Sequence, residues 1–367
     1  MRSTMQILHD FDAAACPPST MTDAGVCFDL RPRQQILNVL VRDPRPTLEV
    51  DLLVDEKGEG FLLRQGLVVS GDGIEFRAVP LTKVGQETLR ATVQTHDGEV
   101  RLASRYPYGR DHLDKLICET AGIGGVTWRF LRQGHRGFPM AQLGEDDGSK
   151  TIHYFFAGED AWETAGCWVA DEMVRELASN APLATALTAD SLVRIVPLVS
   201  PYSATTSTPS YRTLAGAGIY GAATWGDAEP PPEYAALRQL VATTIGESRL
   251  GCMLTIHSWQ AQSEKTGLET IQRAGDSVLC EARQAWAREA MDQLIDGVPH
   301  GATAFPERIW HPGLARDHLL AAHDAITFRV EITTAGAGLE MFRETGRRFA
   351  GNLAKVADWR PVCATGA

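Results

Sequence analysis

Short runs in which hydrophobic and polar residues alternate fill the first part of the chain. ILNVLV, LEVDLLV, GFLLRQGLVV, IEFRAVP and LRATVQT lie between about Val26 and Arg105, separated by Gly and Asp turns. A period of two, broken at short intervals by turn residues, predicts strands. So many of them in succession predict an antiparallel β-sandwich, assigned here to residues 1–105. From Tyr106 the texture changes. Apolar runs without alternation, TIHYFFA, LVRIVPLV, GCMLTI and AITFRVEIT, are separated by helical patterns. Strands apolar on both faces belong between two helix layers, so residues 106–367 are expected to form an α/β/α domain on a mostly parallel mixed sheet. Ala165, Val169, Met173 and Leu177 recur at helical spacing, with a polar stop at Ser179-Asn180-Ala181-Pro182. Further helices are expected over Ser277 to Ile295 and Leu339 to Val356. The stretch from Ser200 to Pro232, rich in Ser, Thr, Gly and Pro, is too long for an ordinary connection and predicts a lid or pocket wall.

Composition narrows the function classes. A chain of 367 residues with 44% hydrophobic content has ample material for two domains. Its formal charge of -11, from 46 acidic and 35 basic residues, argues against nucleic acid or an anionic membrane as partner. The seven cysteines are scattered and form no close pair, which fits reduced thiols. No signal-like N-terminus or membrane-length apolar run is seen, so a cytoplasmic location is expected. The oligomeric state stays open, a homo-oligomer included.

Candidate chemistry gathers where apolar runs end. TIHYFFA leads through Gly158 to Asp160 and Glu163, which at a spacing of three would share one face of the helix expected there. CMLTI leads to His257. Ligands of an open α/β sheet collect beyond the carboxyl ends of its strands, and three ligands plus an open position suit catalytic zinc. The plainer alternative is that both acids merely cap a helix. Glu331 weighs against it, because an acid inside the apolar run AITFRVEIT is costly unless paired or functional.

Over nearly its whole length the chain resembles the zinc metallocarboxypeptidases of the carboxypeptidase A type, nearest to the cytosolic branch with a β-sandwich before the catalytic domain. The resemblance runs through SRYPYGRDHLDKL, AGEDAWETAG, VRIVPLVSPYS, PSYRTLAG, LTIHS and TFRVE, in order and with matching spacing. It implies one metal ion, zinc first with manganese or iron as alternatives, held by Asp160, Glu163 and His257. It further implies Glu331 as general base, Arg212 as stabiliser of the oxyanion, and hydrolysis of a peptide or amide bond.

Three departures qualify that implication. Asp160 stands where the family has histidine, which makes the site harder and more negative. The family's aspartate that orients that histidine corresponds to Gly218. The Asn-Arg pair that clamps a substrate's terminal carboxylate corresponds to Tyr220 and Gly221. Tyr220, with Tyr202, is therefore expected to shape the substrate pocket, and a small peptide or acyl-amino compound without an α-carboxylate on its leaving side is the expected substrate. Two rival readings remain: a true carboxypeptidase whose clamp has moved to Arg238 or Arg308, and a non-catalytic binding protein that keeps the fold. The GAGIYG run is not read as a nucleotide loop, since neither a buried strand nor a helix flanks it. His153 reads as a core histidine, while His311, His318 and His323 form no evident ligand set.

Overall fold

All seven residues of the strand Thr151–Ala157 are buried, and alternate side chains enter two separate cores. Phe155 and Ala157 join one, Tyr154 and Phe156 the other. That is what a strand apolar on both faces requires, and it defines the centre of the molecule. The computed structural model describes residues 5–11, 14–31, 36–43, 45–133, 136–160, 163–199, 211–212, 218–219, 224–258, 266–269, 273–274, 277–278, 281–299, 302–305, 314–334 and 338–356. Of these, 57, 132–133, 136–137, 211–212, 218–219, 266–269, 273–274, 277–278, 281–284 and 302–305 are described by backbone alone.

Thr151–Ala157 lies within an eight-stranded sheet. It pairs in parallel with Ser191–Val196 on one side and Leu250–His257 on the other, and the latter pairs in parallel with Phe328–Glu331. Antiparallel strands Val126–Gln133 and Arg136–Leu143 extend one edge. Thr266–Glu269 and Ala302–Phe305 extend the other. One face is covered by helices Arg110–Thr120, Thr164–Ser179, Glu281–Leu294 and Leu339–Val356, the other by Pro232–Gly246 and Ala315–His323. Each fully buried Phe on the central strand contributes about 1.5–3 kcal/mol relative to exposure. At Gly166 a Cβ would lie 2.4 Å from Ile256 O, so only glycine lets helix Thr164–Ser179 sit this close to the strand carrying His257.

Ahead of these layers, two five-stranded sheets face each other across a core that includes Val39, Val41, Val50, Leu52, Ala91 and Leu102. All their pairings are antiparallel except that of Gly25–Asp29 with Thr47–Leu53. Val68, Phe76, Ala103 and Tyr106 turn away from that core and pack with the α/β layers. The sandwich is thus anchored on the helix face of the large sheet.

Several expected elements are corrected. GFLLRQ is helical: Glu56–Gln65 is capped by Asp55 Oδ1 accepting from Gly58 N at 2.7 Å, and Gly66 at φ 85° ends it. Phe61 and Leu62 are buried apolar residues of this helix, and an apolar run this short fits either period. Within residues 1–105, strands Gln6–Leu8 and Ser19–Met21 precede the alternating runs that begin near Val26. Asn180 does not simply stop a helix, because its side chain accepts from Leu183 N and starts a second one, Ala181–Asp190. The helix expected from Ser277 begins at Glu281. Leu339–Val356 matches its expected bounds. Among the described residues no helix is long and apolar enough to cross a membrane.

Candidate metal centre

At the carboxyl end of Thr151–Ala157 the chain turns at Gly158, whose φ of +68° belongs to the left-handed region that glycine enters freely. Glu159, Asp160 and Glu163 are not yet helical, contrary to the expectation from spacing. Helix Thr164–Ser179 starts one residue after Glu163, which has φ -88° and ψ 49°. Asp160 and Glu163 therefore sit on the connecting turn, closed by Glu163 N donating to Asp160 O at 3.1 Å, rather than on one helix face. Glu163 makes no side-chain capping bond to its helix. Its carboxylate is directed to His257 instead, which removes the capping explanation for this residue.

His257 ends the neighbouring strand, and all three side chains converge. One ligand atom from each of Asp160, Glu163 and His257 lies within 4.8 Å of the others, and all three residues are buried. His257 Nδ1 is 2.6 Å from Glu163 Oε2 and 3.9 Å from Asp160 Oδ2. Ser258 N also donates to Glu163 Oε2, at 3.1 Å, while Glu163 Oε1 is buried without a hydrogen-bond partner. Glu331 lies in register beside His257 on the adjoining parallel strand and is 8% exposed. It forms a 2.5 Å ion pair with Arg329, two residues earlier on the same face of the strand.

The electrostatics follow from this crowding. Burial and the Arg329 guanidinium oppose a charge on His257, but the Glu163 and Glu159 carboxylates prevail and raise its pKa to about 10. Burial would raise Glu163, yet the His257 charge and hydrogen bond, Arg329 and the Ser258 N–H hold its carboxyl below the usual range. Half-buried Arg105 also feels Glu163; desolvation lowers its pKa to about 10 and the carboxylate counters that. Counted formally, four acids (Glu159, Asp160, Glu163, Glu331) face two guanidinium groups, Arg105 and Arg329. With His257 protonated, as its raised pKa requires, the excess is one negative charge; a cation that displaced that proton would face two, which a divalent ion balances. Two carboxylates and one imidazole are a suitable donor set, and the partnerless Glu163 Oε1 supplies a free acceptor.

The other expected site residues are placed less fully. Arg212 lies on a short strand, Tyr211–Arg212, directly opposite Gly218 in a two-stranded pairing, and its side chain is outside the described residues. Tyr202, Tyr220 and Arg308 lie outside them altogether, as does His311. Arg238 donates to Asp227 O and lines a separate cavity of about 410 Å³ with His318 and His323. His153 is a core residue whose Nδ1 accepts from Cys252 N at 3.0 Å. Burial pushes the Cys252 thiol up to about 12 and raises Cys167 as well, so neither is a nucleophile.

The spacing argument missed Glu159, Arg329, Trp225 and Tyr234. Glu159 Oε2 is 2.8 Å from His257 Nε2, Trp225 Nε1 donates to Glu159 Oε1 at 2.6 Å, and the Tyr234 hydroxyl donates to Glu159 O at 2.7 Å. Three acids within AGEDAWE were a visible signal for Glu159. Nothing in the sequence singled out the two aromatic residues.

No family model and no curated protein matches the sequence. Solved structures do match by shape. A metallo-carboxypeptidase from Burkholderia cenocepacia superposes with a TM-score of 0.80 at 17% identity, over 97% of this chain and 99% of that one. A metallo-carboxypeptidase from Pseudomonas aeruginosa, in complex with (2-guanidinoethylmercapto)succinic acid, superposes with a TM-score of 0.77 at 20% identity, over 96% and 99%. The chain has the metallo-carboxypeptidase fold, including the leading β-sandwich.

Proposed function

We propose that the chain is a divalent-metal-dependent hydrolase that cleaves an amide or peptide bond in a small peptide or acyl-amino compound. The observation that carries this reading is the convergence of Asp160, Glu163 and His257 at strand ends, with Glu331 in register beside His257. Zinc is the first candidate by ligand count, while the harder two-carboxylate set keeps manganese and iron as competitors. When bound, the cation would act as a Lewis acid toward the scissile carbonyl and lower the pKa of water. Glu331 takes a proton from the attacking water and delivers it to the leaving nitrogen. Arg329 holds Glu331 at the carboxyl end of its strand and adds positive charge near the developing oxyanion. Arg212 is assigned the same electrostatic role by the resemblance, and Tyr202 and Tyr220 the pocket wall.

Metal analysis of the purified full chain tests the reading. Near-stoichiometric divalent metal, lost together with amide hydrolysis on chelation, is the expected result. Protein that takes up no zinc, manganese or iron when these are supplied would sink it and favour a binding protein that keeps the fold. Paired peptides with a free or amidated C-terminus then separate an amidase from a carboxypeptidase with a relocated clamp, because only the latter requires the carboxylate.

A further inference from the structure

Glu159 is 2% exposed and follows directly on the glycine turn, yet it has no part in the ligand set. Its side chain meets the opposite nitrogen of His257: Nδ1 faces Glu163 and Asp160, while Nε2 lies 2.8 Å from Glu159 Oε2. The position of this carboxylate is fixed from two other elements. Trp225 Nε1 donates to Oε1 at 2.6 Å, and the Tyr234 hydroxyl donates to the backbone carbonyl of Glu159 at 2.7 Å. Both aromatic residues are fully buried, their rings meet edge to face at 6.3 Å, and Trp225 stacks on Phe156 of the central strand. Burying a carboxylate is costly unless its oxygens are paired. Here each oxygen has a partner: the Trp225 indole for Oε1 and the His257 imidazole for Oε2.

We propose that Glu159 is a positioning residue that sets the tautomer of His257. An ionised carboxylate is acceptor-only, so beside Nε2 it keeps the hydrogen of a neutral imidazole on that nitrogen. With Glu163 Oε2 2.6 Å from Nδ1, a cation held there by Asp160 and Glu163 would displace the hydrogen on Nδ1 and leave the one on Nε2 to Glu159. Groups that orient a ligating histidine in this way govern metal affinity nearly as strongly as the ligands themselves. Trp225 and Tyr234 form the next layer, locking Glu159 so that the ring cannot rotate its lone pair away. The proposal rests on the metal reading above and adds to it the residue that prepares the imidazole ligand.

The experiment compares the wild-type full chain with Glu159→Gln, Trp225→Phe and, as a ligand control, Glu163→Ala. Zinc affinity is measured by chelator competition, and the His257 tautomer by nitrogen NMR of the zinc-loaded protein. Thermal midpoints of the metal-free forms are recorded alongside. Glu159→Gln is expected to weaken zinc binding by about 10- to 100-fold and to disturb the signal of a hydrogen on Nε2. Trp225→Phe, which keeps the carboxylate and removes its donor, is expected to weaken binding less but in the same direction, and it carries the test if the first variant does not fold. A purely structural role would lower the midpoint and leave the zinc affinity and the tautomer of the folded variants unchanged; that result overturns the proposal. If Glu163→Ala loses zinc while Glu159→Gln retains wild-type affinity, only this proposal fails. If the wild-type chain itself takes up no zinc, the metal reading fails first and this one with it.

Discussion

His112 and His257 are both buried, and their surroundings drive them in opposite directions. Burial and the nearby Arg101 lower His112 to about 4, whereas the carboxylates around His257 overcome burial and raise it to about 10. The acids near His112 each have an arginine partner, two arginines being shared among five carboxylates. Asp171 accepts from Tyr108 and pairs with Arg175, Glu119 pairs with Arg175, and Arg347 bridges Glu172, Glu340 and Glu344. A cavity of about 370 Å³ opens between these groups, lined by His112, Trp168 and Arg343 among others. At His257 the acids outnumber the cations and one buried oxygen of Glu163 has no partner. The cavity beside His112 is thus lined by acids that already have arginine partners. An excess of buried charge, and not the size of a cavity, marks the place where a ligand is missing from the balance.

The strongest test of that contrast is Glu331→Gln. Loss of a general base costs about 10²- to 10⁴-fold in turnover, or about 3–5 kcal/mol of barrier, while metal content should be unchanged. Hydrolysis at the wild-type rate by metal-loaded Glu331→Gln protein would remove Glu331 from the chemistry and leave its ion pair with Arg329 as a structural feature.

Arg175→Ala addresses the balanced region. Breaking a buried pair typically costs about 3–5 kcal/mol. Because the Arg175 side chain is 31% exposed, we discount this for solvent screening to about 2–3 kcal/mol. Urea unfolding should show that loss with zinc affinity unaltered. A weakened metal site in this variant would mean that the two ends of helix Thr164–Ser179 are coupled.

The two regions also differed in how much of them the sequence carried. The central strands were legible because a run such as TIHYFFA is apolar on both faces, and Leu339–Val356 was legible from the spacing of Phe342, Phe349 and Leu353. The converging residues Asp160, Glu163 and His257 were legible because they follow or end such runs. Their backbone was not, since a spacing of three is equally compatible with a helix face and with the turn that Gly158 starts. Glu159 was overlooked because it adjoins Asp160 yet serves a different atom of His257. Trp225 reaches Glu159 from 66 residues away, a proximity created only by the fold. The pairing of Asp171 with Tyr108 and Arg175 was hidden for the same reason.

His112 offers a pH test of intermediate size. A histidine whose folded pKa is depressed is neutral in the folded state, so its contribution to stability is complete above the unfolded value near 6.5 and is lost as pH falls toward about 4. Between pH 6.5 and 5 that linkage amounts to about 1.5 kcal/mol. Urea midpoints of the wild-type chain should fall over this interval, and those of His112→Phe should fall less. Equal slopes would mean that His112 has an ordinary pKa and that the packing around it is looser than its burial indicates.

The smallest expected change in stability is the one that sharpens the contrast most. Asp160→Asn removes one of the four acids at the uncompensated site, and in the metal-free protein this takes away as much like-charge repulsion as it takes away attraction to His257, whose Nδ1 is 3.9 Å distant. We expect the metal-free unfolding free energy to change by less than about 1 kcal/mol, while zinc affinity collapses. Arg175→Ala should show the reverse, with stability lost and affinity kept. If Asp160→Asn instead destabilises the metal-free chain as much as Arg175→Ala does, the attraction Asp160 makes there outweighs the repulsion among the acids. The charge excess would then not be what distinguishes the His257 end from the His112 end.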